Sequence, residues 1–165
     1  MRYQTITQAF KEIVESHKSG IRFFTGLESE AVTDNNENYP LVVLVPTDFT
    51  LSLDNSLKDN NKTWNIELQV QELLSDQSTV QEKNEALDRT GEYLKDIVLQ
   101  FVTVYGDDYD VTYGNITETL DFVTESQPAF VPFIDEGDGV TGWQVTFSIK
   151  EGVNQDMCHL PDMFN

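Results

Sequence analysis

Apolar and polar residues alternate strictly over 63–73, TWNIELQVQEL. Trp64, Ile66, Leu68 and Val70 fall on one side and Asn65, Glu67, Gln69 and Gln71 on the other. A period of two predicts a half-buried strand, because a helix scatters such residues over several faces. The stretch 142–150 repeats the pattern, with Trp143, Val145, Phe147 and Ile149 facing one way and Gln144, Thr146, Ser148 and Lys150 the other. Both apolar rows are expected to face the same core.

Two segments carry helical spacing instead. In 6–18, Ile6, Phe10, Ile13, Val14 and His17 recur at intervals of three and four, with Thr5 as cap and Gly20 as terminator. The segment 78–105 predicts a long helix. Leu87, Leu94, Val98, Phe101 and Tyr105 form its stripe, with Ile97 beside it. Ser78 with Gln81 and Thr79 with Glu82 both have capping-box spacing. Gly91 costs such a helix about 1 kcal/mol relative to alanine and marks a close approach or a bend. The β-rich end from Phe101 is expected to fray toward strand.

Further strands are expected at 21–25, 116–125 and 129–134. The run YPLVVLVP, 39–46, holds five consecutive aliphatics between prolines. It predicts a strand covered on both faces or one facing a partner. FTLSLD, 49–54, continues it or begins another. Residues 33–38 and 54–62 are polar loops, expected to be mobile, and 106–110 and 135–139 are turns. The order of elements predicts a single α+β domain over 1–165, a mainly antiparallel sheet packed by one long and one short helix.

Charge changes the picture most. Ten basic residues against 29 acidic ones give −19. Neutralising phosphates takes Lys and Arg, so specific nucleic-acid binding is not expected, nor is binding to an anionic membrane. No stretch approaches the roughly 20 apolar residues of a membrane span. One cysteine cannot form an internal disulfide, and the 18 aromatic residues supply a core without one.

Candidate chemistry is sparse. Cys158 and His159 adjoin near the C-terminus, and His17 is the other histidine. Zinc needs about four suitable donors, and no nucleophile turn surrounds Cys158. Met157, Cys158 and Leu160 are therefore expected to anchor a C-terminal tail or meet a neighbouring subunit. Asp107, Asp108 and Asp110, or Asp135, Glu136 and Asp138, present carboxylates to a hard cation. Neither group has EF-hand spacing, and Asp in Gly-rich turns serves local backbone bonds. No phosphate loop, GxSxG or HExxH is present. Catalytic, cofactor and metal residues are expected to be none, and the chain is not expected to be an enzyme.

The order of short helix, β-rich segments, WNIELQVQEL, long helix and final strand resembles the small α+β neck and tail-completion (tail terminator-like) proteins of tailed phages. TGWQVTFSIKEGVNQDMCHLP, 141–161, looks like the endings of structural proteins from phages of gut Bacteroides, including the crAss-like group. The β-rich segment 116–134 departs from a minimal terminator fold. The resemblance implies a virion protein, assembled in the host cytoplasm, that forms a homo-oligomeric ring. Six subunits are favoured, with tail-tube or connector proteins as partners. Repeated around a ring, the charge would give an anionic lumen to which DNA does not adhere. The alternative is an acidic binding module or nucleic-acid-mimicking inhibitor.

Overall fold

The computed structural model describes residues 3–26, 39–52, 61–75, 77–105, 109–113, 116–123, 128–135 and 139–151. In chain order these form α1 (Tyr3–Ser16), β1 (Arg22–Thr25), β2 (Leu41–Ser52), β3 (Asn61–Leu73), α2 (Val80–Tyr105), β4 (Tyr109–Tyr113), β5 (Ile116–Val123), β6 (Phe130–Asp135) and β7 (Val140–Glu151). The fold is α+β: two helices pack on a mixed, mostly antiparallel sheet, as the pattern predicts. No helix among the described residues is long and apolar enough to cross a membrane.

The strand order is β1-β2-β3-β7-β5-β4, with β6 also on β7. β7 is long enough to serve two neighbours on its far side. Its residues 140–145 pair with β6 and 148–151 with β5. Among the described strand pairs only β1–β2 is parallel. The two alternating segments lie side by side, Ile66 opposite Phe147, Leu68 opposite Val145 and Val70 opposite Trp143. Their apolar rows share one core with α1 and α2. At its centre Phe10 stacks on Phe101 with ring centroids 4.2 Å apart, and Phe147 leans on both. Each such ring contributes about 1.5–3 kcal/mol by leaving water.

Several boundaries differ from the sequence expectation. α1 begins at Tyr3, so Thr5 is a buried helical residue and not the cap. The Tyr3 hydroxyl donates to the Leu44 carbonyl (3.2 Å) and lies 3.1 Å from Thr25 Oγ1, which ties the first turn to β1 and β2. Burial against this cluster raises the pKa of Tyr3. α1 ends at Ser16, two residues before the expected end, and Gly20, at φ +66°, closes the turn that follows, with its N–H on the His17 carbonyl. The N-terminus of α2 is capped by Thr79, whose Oγ1 accepts from the Glu82 N–H, while Glu82 accepts from the Thr79 N–H. The far end of α2 stays helical to Tyr105. Phe101 and Tyr105 are both buried, with rings 5.1 Å apart, and packing overrides their strand propensity.

Residues 41–52 form one strand, with a register shift between Pro46 and Asp48. That shift lets proline stand inside a paired strand. β2 is internal, and its aliphatics do face both ways: Val42 and Leu44 enter the main core. Leu41 and Val43 form a second cluster with Phe24, Tyr39 and Val45. β4 is a strand that the Asp-rich sequence hid, and Asn61 and Lys62 belong to β3 and not to a loop.

Candidate functional site

Five strands share one level of the sheet. Arg22, Leu41, Gln71, Gly142 and Phe133 stand in register across β1, β2, β3, β7 and β6. The row through Thr25, Leu44, Leu68, Val145 and Phe130 lies three residues along. This level has two outer strands, β1 and β6, and neither pairs outward with another described strand. Unpaired strand edges are templates for another chain.

The β6 edge is apolar. Phe130 (36% exposed), Val131 (46%) and Ile134 (53%) supply half of the large hydrophobic side chains that stand exposed among the described residues. Phe130 and Ile134 fall on one face of this edge strand and Val131 on the other, so the edge is apolar on both sides. Phe130 also lines an apolar groove of about 300 Å³ with Gly91, Lys95 and Trp143. The bare Cα of Gly91 lets Trp143 approach α2 closely. A Cβ there would stand 3.1 Å from Trp143 Nε1, which donates to the Leu87 carbonyl at 2.8 Å. Gly91 therefore marks the close approach its position suggested. Lys95 is paired with Glu92, whose hydrogen bond raises the lysine's pKa.

The face of the sheet away from the helices is more buried than its polar residues predict. Gln69 and Gln71 are 2% and 1% exposed. They tolerate this through a ladder along β3. Gln71 donates to Gln69 Oε1, and Gln69 donates to Glu67 Oε1, both at 2.7 Å. Gln71 Oε1 has no hydrogen-bond partner among the described residues.

Two other hollows are lined by both charged and apolar side chains. One, of about 260 Å³, is lined by Tyr39, Pro40, Glu72, Leu73, Arg89 and Tyr93. Its Arg89 binds Glu72 through two nitrogens, at 2.6 and 3.3 Å, which raises the guanidinium pKa. The other, of about 510 Å³, runs between the end of α1 and α2. There His17 Nε2 stands 3.9 Å from Asp96 Oδ2, its ring edge-on to Tyr93, and Nδ1 accepts from the Ser19 N–H. His17 thus serves the helix junction. Cys158, His159, Met157 and Leu160 lie outside the described residues, as do Asp107, Asp108, Glu136, Asp138 and the loop 33–38. Among the described residues no group of three or more His, Cys, Asp or Glu is placed to hold a metal ion.

Sequence reasoning did not single out the β6 edge. The signal was present in FVPFID, where a proline inside an apolar strand segment points to an edge.

No protein-family model matches the chain, and no curated protein matches it. Among solved structures the chain is similar to the gp17 protein of bacteriophage SPP1. The two share 16% identity over 93% of this chain and 92% of that one, with a TM-score of 0.41.

Proposed function

We propose that this chain is a structural protein of a phage virion, placed in the neck or tail, that works by assembly and not by catalysis. The observation that carries this is the five-strand level whose two edges pair with no further described strand, one of them carrying exposed Phe130, Val131 and Ile134. A surface whose two edges differ favours head-to-tail contacts, and such contacts give a ring when the rotation between copies closes. A ring of six, docking onto tail-tube or connector proteins, is the form we favour. The order of elements, which resembles neck and tail-completion proteins, supports the same reading. The net charge of −19 per chain makes the lumen of such a ring anionic. The test is localisation by negative-stain microscopy on phage particles with a labelled antibody to this chain. Label at the neck or tail is expected, and particles without label contradict the reading.

One observation favours a second reading. Between Lys95 and Lys150 the chain has no basic residue and ten acidic ones. An acidic module that mimics nucleic acid would use such a segment. It would act as a monomer or dimer and bind basic DNA-binding proteins in a salt-sensitive way.

A further inference from the structure

We infer that the free edge of β6 receives the free edge of β1 from a second copy, so that the sheet runs on from copy to copy. This rests on the assembly reading above and names its contact surfaces.

Strand direction permits it. β1 runs parallel to β2, and three antiparallel steps lead from β2 through β3 and β7 to β6. β1 and β6 therefore run in opposite directions. A copy displaced along the row without inversion sets its β1 antiparallel to the first copy's β6. Both pairs of helices stay on the same side.

Backbone groups that pair with no described strand stand in the right places. The Arg22 N–H is engaged by the Pro40 carbonyl and the Gly26 N–H by that of Leu44. Arg22, Phe24 and Gly26 thus face β2, and Phe23 and Thr25 turn their N–H and C=O outward. On β6, Pro132 has no N–H, and proline is accommodated where its nitrogen faces away from the neighbour. Phe130, Pro132 and Ile134 therefore face outward. Continuing the rows places the second copy's Thr25 opposite Phe130 and its Phe23 opposite Pro132, with one bond missing at the proline.

Charge selects the head-to-tail arrangement. The first 22 residues hold four basic and two acidic residues, in a chain that is otherwise strongly acidic. Of these, Lys18 and Arg22 are exposed beside or on β1. β6 itself carries one acidic residue, Asp135, and no basic one, and the Lys95 beside its groove is already paired with Glu92. Pairing β6 with a second β6 opposes like charges, whereas pairing it with β1 opposes unlike ones. The second copy's α1, which meets its own β1, then arrives at the groove of Gly91, Lys95, Phe130 and Trp143.

The experiment uses the full chain carrying Cys158→Ser, with Thr25→Cys and Phe130→Cys introduced together or singly, under mild oxidation. Facing residues at such a pair stand about 5.5 Å apart between Cα atoms, which a disulfide spans. A ladder of covalent multimers from the double variant, and none from either single variant, is expected. Coupling by Phe130→Cys alone would show β6 against β6 and overturn the inference. An oligomer in solution without a ladder overturns it and leaves the assembly reading standing; a monomer without a ladder overturns both. Independently of added cysteines, Lys18→Glu with Arg22→Glu, both exposed, should weaken self-association at least tenfold. Unchanged association would count against the inference.

Discussion

The indole of Trp143 lies across Gly91, and its N–H donates to the Leu87 carbonyl one turn earlier on α2. A helix that accepts a glycine for this contact gives up about 1 kcal/mol of propensity. The missing Cβ makes room for a tryptophan that binds strand to helix. Gly91→Ala should therefore gain that amount in a Trp143→Phe background and much less in the natural sequence. Chemical denaturation of the four proteins in the cycle should give a coupling of at least about 0.5 kcal/mol. Simple additivity would mean that the contact carries no weight.

Gly142 is the more demanding glycine. A Cβ there would fall 1.8 Å from the Val70 carbonyl oxygen, on a backbone that cannot step aside without breaking the β3–β7 ladder. Gly142→Ala should destabilise by about 3 kcal/mol, the upper part of the range for overpacking. A melting curve matching the parent would refute this.

The amide ladder predicts an order of effects. Gln69→Leu removes both ladder bonds and leaves Glu67 and Gln71 without them, whereas Gln71→Leu removes one bond, to Gln69 Oε1, together with an acceptor that has no partner among the described residues. Gln69→Leu should cost more than Gln71→Leu by about 1–2 kcal/mol. Equilibrium unfolding in urea gives both values, and the reverse order would contradict the ladder.

The capping box makes a prediction with a sign in pH. The backbone N–H of Thr79, and then its hydroxyl, bond the Glu82 carboxylate and lower its pKa from 4.5. A depressed folded pKa contributes stability that is present above the unfolded value and is lost as pH falls through the folded one. Glu82→Gln should flatten this part of the acid limb of stability below about pH 4.5, the ordinary glutamate value. Thr79→Ala should cost about 1 kcal/mol at neutral pH. Thermal melts at several pH values check both.

The two alternating segments were fully legible. Their register, Val70 opposite Trp143 down to Trp64 opposite Ile149, sets both apolar rows into one core. Gly91 was legible as a close approach, although its partner 52 positions away was not. β4 was missed because Asp107, Asp108 and Asp110 read as a turn. Gly114-Asn115, a two-residue hairpin signal between Tyr113 and Ile116, could have revealed it. The burial of Gln69 and Gln71 was not legible, because alternation assigns amides to water and cannot foresee that they satisfy one another along the strand. The free edges were not legible either. Which strand ends a sheet depends on pairing between distant segments, and only Pro132 carried a local hint.

The most direct measurement is the mass of the purified full chain by light scattering over a rising concentration series. Assembly through these edges should make the mass climb from 18.8 kDa to a discrete multiple, with six favoured. A mass fixed at 18.8 kDa at every concentration would contradict assembly through these edges.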